Sequence, residues 1–287
     1  MEQKEADLLP VSYFHVVFTL PPALVDVTPV ARAALYEALF RAAAKTIMRF
    51  GNERLSGQMG FLAVLHTWGQ TLTHHPHIHC VVPGGAFDTV AKQWTSTRRR
   101  FLFPVRALSK VFRGKMLDEL RKHGLPGIDD DELRARIAAA AAVDWVVYAK
   151  PPFGGPQQVL RYLARYTHKI AIGDHRLVEV DKDHVAFTYK DYRYGSAAKV
   201  MRLAPADFVR RFLQHVLPRH FTRLRSYGFL ANTKKRECLA AIRAALHVAP
   251  PPRSKPAKPC GCPTCGIGEL VDRIRLAPFT LVPLDTS

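Results

Sequence analysis

No run of about 18 uncharged apolar residues occurs in this chain of 287 residues, so nothing in it reads as a membrane-spanning helix. Its start, Met1-Glu2-Gln3-Lys4-Glu5, lacks the basic and apolar stretches of a secretory signal. Together these absences predict a cytoplasmic protein without a membrane partner. Cysteine is scarce as well: five residues, an odd number with three bunched near the end, do not make a disulfide framework and suit a reducing compartment. No internal repeat is visible, which excludes a solenoid. Acidic residues are few, 24 against 42 Lys and Arg, leaving a net charge of +18 with histidine neutral. Because 48 % of the residues are apolar, this is not a disordered basic tail; a folded domain that binds nucleic acid fits better. The charge is clustered at Arg98-Arg99-Arg100, at Arg210-Arg211, from Arg219 to Arg225 and at Lys234-Lys235-Arg236.

Against that background one stretch carries chemistry: His74-His75-Pro76-His77-Ile78-His79-Cys80-Val81-Val82. Side chains at i and i+2 of a strand share a face. His77 and His79 therefore converge on a common point while Ile78 points into the core. Pro76 suits a strand start and Pro83-Gly84-Gly85 a turn at its end. Such a pair can hold a metal, or it can be two core or surface histidines.

A second element, Arg161-Tyr162-Leu163-Ala164-Arg165-Tyr166-Thr167-His168-Lys169, has helical composition, with Pro156 as a first-turn residue and Gly173 as a stop. Tyrosines at i and i+4 lie on one helix face. Tyr162 and Tyr166 could be a packed aromatic stripe, but Arg161, Arg165, His168 and Lys169 around them describe a surface that meets an anion.

His-hydrophobe-His on a strand, followed by Tyr-x-x-x-Tyr-x-x-Lys on a helix in a basic chain, resembles the HUH single-strand endonucleases and, more closely, the rolling-circle transposases of the insertion sequence 91 family. Supporting stretches are Tyr13 to Pro21, Leu65-His66-Thr67-Trp68-Gly69-Gln70 and Pro152-Phe153-Gly154-Gly155-Pro156. The match runs from about Asp7 to about Leu246, in the order the family uses. Phe18-Thr19-Leu20 also resembles the first motif of rolling-circle replication initiators. Full-length family members carry a cysteine-rich zinc-binding segment ahead of the region corresponding to Leu8-Leu9-Pro10, whereas no cysteine precedes Cys80 here. The resemblance thus implies the catalytic part without its N-terminal zinc module, with nicking chemistry kept and sequence-specific end recognition put in doubt.

The resemblance implies cleavage of single-stranded DNA at the ends of a mobile element. Tyr162 or Tyr166 would attack phosphorus to give a 5′-phosphotyrosine and a free 3′-hydroxyl. A divalent ion on His77 and His79 would polarise the scissile phosphate. Magnesium prefers oxygen ligands, so a two-imidazole site must find the rest elsewhere, and manganese should be tolerated at least as well. His66 comes first as third ligand, because its strand should pair with the His-x-His strand. His15 and Gln158 follow, the latter one helical turn before Tyr162. Lys169 would lower the phenol pKa or meet the phosphate, or be a solvated helix-end lysine. Trp68, Trp94, Phe101 and Phe103 could stack bases or belong to the core.

A coarse pass predicts an α+β fold with a central antiparallel β-sheet, flanking helices and the tyrosines on a facing helix. Strands are expected at 13–20, 60–68, 76–82, 144–150, 177–180, 185–189 and 198–203. Helices are expected at 29–51, 105–123, 130–142, 156–170, 205–217 and 233–246. Residues 1–248 would form the catalytic domain. The Pro-rich stretch 249–259 would be an extended linker, and 260–287 a tail. In that tail Cys260, Cys262 and Cys265 resemble a zinc knuckle, yet a structural zinc takes four ligands. His247 or a partner could supply the fourth, or the knuckle is a relic without metal. Two other readings stay open: a His-x-His metal hydrolase, which makes no use of the tyrosines or the charge, and a non-catalytic DNA-binding remnant of a transposase.

Overall fold

The computed structural model describes residues 7–98, 101–150, 171–192, 195 and 197–249, with the backbone of 260–261 and 269–270. The chain divides into a large unit, Gln3–Pro250, and a small one, Pro251–Ser287. In the small unit, Cys260–Gly261 pairs antiparallel with Glu269–Leu270.

In the large unit the strands are β1 (Tyr13–Thr19), β2 (Gly60–Trp68), β3 (His74–Pro83), β4 (Gly85–Asp88), β5 (Gln93–Ser96), β6 (Val147–Lys150), β7 (Leu177–Val180), β8 (Val185–Asp191), β9 (Ala197–Leu203) and β10 (Leu224–Gly228). The described helices are α1 (Pro29–Leu55), α2 (Val105–His123), α3 (Asp130–Ala141), α4 (Pro205–Leu213) and α5 (Lys235–Ala245). The central sheet is antiparallel throughout, in the order β10-β2-β3-β1-β6. This is the expected α+β architecture, with the His-x-His strand in the middle of the sheet.

Alternation along the three inner strands sorts the residues into two faces. Phe14, Val16 and Phe18, Phe61, Ala63 and Leu65, and Ile78, Cys80 and Val82 are all fully buried in one apolar cluster with α1 and α2. Ile78 therefore points into the core as its place between two histidines requires. The other face carries His15, Val17 and Thr19 of β1, Val64 and His66 of β2, and His77, His79 and Val81 of β3, and it is only partly buried.

Local signals explain the helices. Pro29 starts α1 behind Thr28, a place where its missing N–H costs nothing. Asp129 caps α3, its Oδ1 accepting from the Glu132 N–H at 2.8 Å, with Asp130, Asp131 and Glu132 in the first turn against the helix dipole. The α1–α2 contact is pinned by Glu119 of α2, fully buried, which accepts from Arg41 Nε at 2.6 Å and from Lys45 of α1.

Some boundaries differ from the sequence reading. The helix expected over 205–217 stops at Leu213, that over 233–246 starts at Lys235, and the strand expected from 144 begins at Val147. Two elements carried no clear signal. The β4–β5 hairpin is short and its second strand mostly exposed. Strand β10 begins within what reads as a basic run, and its Arg225 is turned inward: the guanidinium bonds both carboxylate oxygens of Glu37 and lies 4.2 Å above the Phe40 ring. That strand ends at Gly228, with φ +60°, where a Cβ would stand 1.7 Å from the Met59 carbonyl oxygen. Only glycine fits there.

Candidate metal centre

Strand pairing places His66 of β2 directly opposite His77 of β3, and His79 follows two residues on along the same face. Directly opposite side chains on a sheet sit roughly 5 Å apart, so three imidazoles from two strands meet. Their candidate ligand nitrogens all lie within 4.8 Å of one another. Ring centroids are 5.3 Å apart for His66 and His77, 4.1 Å for His66 and His79, and 4.8 Å for His77 and His79.

Hydrogen bonds behind the rings orient them. His77 Nδ1 donates to the His75 carbonyl at 2.6 Å, which leaves its Nε2 as the lone-pair atom. His79 Nδ1 lies 2.7 Å from His15 Nε2. A ligand role for His79 Nε2 thus has Nδ1 donating and His15 accepting, the arrangement in which an outer partner fixes the tautomer of a ligating histidine.

Electrostatics keep the rings neutral. Burial pulls the His77 pKa down to about 4. Burial, then the neighbouring Lys150 and His77 charges, brings His15 down to about 4. Burial first and adjacent charges second also hold His66 and His79 well below the usual histidine range. Desolvated and crowded imidazoles cannot all be charged, so their lone pairs are available near neutrality. The donor set, three neutral nitrogens with no carboxylate among them, fits a divalent transition ion. Magnesium would depend on oxygen ligands from water or phosphate.

His66, His77 and His79 are thus the candidate ligands that the fold brings together, while His15 stands behind His79. Gln158, Arg161, Tyr162, Arg165, Tyr166, His168 and Lys169 lie outside the described residues, as do Cys262, Cys265 and the side chain of Cys260. Of the candidate stacking residues, Trp68 is beside the centre, its ring stacked on His66 at 4.9 Å and 13°. Trp94 instead packs edge-on against Phe229, Phe103 is buried in the main core, and Phe101 is exposed away from that cluster. Sequence reasoning missed Arg223, whose guanidinium lies 5.7 Å from the Trp68 ring centroid, and Lys150, paired in register with His15. The basic run at 219–225 was the available signal for the first. A second cluster, Glu179, Asp181 and His184, is largely exposed on the β7–β8 turn and is internally paired, with His184 nitrogens 3.0 and 3.1 Å from the two carboxylates.

A family model described as "Putative transposase" matches residues 60–237, a span that includes all three clustered histidines. The chain is 41 % identical to "Putative transposase y4qJ" of Sinorhizobium fredii, over 94 % of its own length and 75 % of that protein. The chain belongs to the insertion sequence 91 family of transposases. It is also 30 % identical to the transposase for insertion sequence element IS801 of Pseudomonas savastanoi pv. phaseolicola, covering 83 % of this chain and 58 % of that one. This transposase-family chain thus spans less than two thirds of the second relative. Among solved structures it is similar to the conjugative relaxase TrwC in complex with OriT DNA in its metal-bound form, at 13 % identity and TM-score 0.33 over 82 % of this chain and 72 % of the other. The metal-free TrwC complex gives 14 % identity and TM-score 0.33 over 82 % and 73 %. Scores this low mean that the two backbones share too little of their path for the likeness to bear on mechanism.

Proposed function

We propose that this transposase-family protein cleaves and rejoins single-stranded DNA at the ends of a mobile element, with Tyr162 or Tyr166 as nucleophile. The observation that supports the reading is the convergence of the neutral His66, His77 and His79 on the partly open sheet face of a basic chain. The phenol oxygen attacks phosphorus as the bond from phosphorus to the 3′ oxygen breaks. The phenol proton leaves and the 3′ oxygen takes one up, so the products are a 5′-phosphotyrosine and a 3′-hydroxyl. One phosphate ester replaces another, so resealing is the same reaction reversed and strand transfer needs no external energy. A second phenol permits a second cleavage before the first joint is resolved.

A free phenol has a pKa of about 10, and the Lys169 ammonium, three residues after Tyr166, lowers it or meets the phosphate. Arg161, Arg165 and His168 would hold neighbouring phosphates. When bound by the three histidines, a divalent ion, Mn2+ or Mg2+, supplies positive charge to the scissile phosphate. We assign this chemistry to residues 1–248, with 249–259 as linker. No described helix is long and apolar enough to cross a membrane, and the reading places the protein with chromosomal DNA in the cytoplasm.

The test is incubation with single-stranded oligonucleotides and Mn2+, followed by denaturing electrophoresis. The expected result is a covalent protein–DNA adduct that is lost in the double variant Tyr162→Phe, Tyr166→Phe and only reduced in each single one. An adduct that survives the double change refutes the nucleophiles, and no adduct from the unaltered chain refutes the activity.

A further inference from the structure

The two edges of the central sheet carry similar cation–aromatic pairs on either side of the histidines, Arg223 just before β10 with Trp68 at the end of β2, and Lys150 with Tyr148 on β6. On the β10 edge, Arg223 lies over Trp68, with 5.7 Å between guanidinium carbon and ring centroid, and Trp68 stacks on His66. The Arg223 carbonyl accepts the Leu65 N–H at 3.0 Å, which fixes this arginine beside β2 one residue from His66. On the β6 edge, Lys150 Nζ lies 5.7 Å from the Tyr148 ring centroid. Lys150 is paired with His15, and Tyr148 is paired with Val17, itself the partner of His79. Paired residues share a sheet face. Tyr148 and Lys150 therefore sit on the histidine face, and both are exposed.

Across the sheet the order on this face is an arginine with its indole, three clustered imidazoles, His15, then a lysine with its phenol ring. From β10 to β6 the distance is about 19 Å at roughly 4.8 Å per strand, enough for a few nucleotides of extended single strand. Strand-tracking sites combine cations along the backbone with aromatic surfaces for the bases. Cations at both ends of a neutral centre also suit a backbone whose middle phosphate is the reacting one.

We propose that Arg223 and Lys150 are positioning residues that bind the phosphates flanking the scissile one, so that the DNA strand crosses the sheet from β10 to β6, at right angles to the β-strands, with Tyr148 as a stacking surface. This rests on the strand-cleavage reading, and it adds the path and polarity-independent anchors of the substrate.

The test separates binding from cleavage. Fluorescence anisotropy of a labelled single-stranded oligonucleotide, without divalent ion, is followed as a function of salt for the unaltered chain, Arg223→Gln, Lys150→Gln and the control Lys122→Gln on α2. Each phosphate contact contributes about 0.7 to the slope of log affinity against log salt for single strands. Arg223→Gln and Lys150→Gln should each flatten the slope by about that amount and weaken binding roughly 3–10-fold, whereas Lys122→Gln should leave the slope unchanged. Both variants should still bind Mn2+, a result that a misfolded sheet would not give. Lys150 is exposed, so its variant keeps the test decisive should Arg223→Gln lose the fold. Unchanged slopes in both variants overturn the proposal even where the adduct forms. Flattened slopes in a chain that binds DNA but forms no adduct uphold the strand path and its two phosphate anchors and refute cleavage instead.

Discussion

His15 Nε2 lies 2.7 Å from His79 Nδ1 across the β1–β3 pair, with the two rings 6° from parallel. They are diagonal rather than direct partners, since His15 pairs with Val81 and His79 with Val17. The contact uses the Nδ1 of His79 and so leaves its Nε2 for the cluster with His66 and His77. His15→Ala should therefore weaken Mn2+ binding about 10- to 100-fold, the usual cost of losing an outer partner of a ligating histidine. Titration calorimetry measures it, and an unchanged affinity would show that His79 is oriented by something else.

Replacing a clustered histidine should act more severely than replacing the one behind it. His66→Ala, His77→Ala and His79→Ala each remove one of three nitrogen donors, so Mn2+ binding and adduct formation should fall together. Adduct formation at the unaltered rate in all three would separate the cluster from the chemistry.

Stability should depend on acid in a defined window. His74, whose Nε2 meets the Tyr36 hydroxyl at 2.8 Å, is brought down to about 4 chiefly by burial. His15 and His77 are brought down to about 4 likewise. In the unfolded chain each reverts to about 6.5, so between those values the unfolded state binds more protons and stability falls as pH falls. The contribution is complete above pH 6.5, declines by at most about 1.4 kcal/mol per pH unit for each group, and stops declining below the folded values. Urea midpoints between pH 7.5 and 4 would reveal it, and His74→Gln should make the decline shallower by one group's share. A flat profile would mean that these rings charge freely in the folded protein.

The buried Glu119 carboxylate predicts a change in stability alone. Glu119→Gln weakens two charge-assisted bonds to Arg41 and Lys45 of α1, both cations being partly exposed and able to turn to water. A loss of about 2 kcal/mol is expected, or roughly 4–8 °C in Tm. Mn2+ affinity should be unaffected, because Glu119 packs on the helical side of the sheet. A thermal melt checks the first and calorimetry the second.

The sequence by itself determined the secondary structure wherever a period or a cap was strong. Alternation around His77 and His79, the Pro29 start of α1 and the acidic start of α3 are local signals, set by side-chain direction and backbone chemistry within a few residues. It also settled that His77 and His79 share a face, and it put His66 first among third ligands through strand adjacency. Only the tertiary structure decided the rest. The 66-to-77 register depends on how β2 and β3 close their turn, and the β10 edge depends on Glu37 drawing Arg225 inward, so neither is a property of a short window. The same holds for Arg223 and Lys150, distant in sequence and on opposite edges of the sheet. Each reads as one more basic residue until strand pairing sets Lys150 on the histidine face and the Trp68 ring brings the Arg223 guanidinium beside His66.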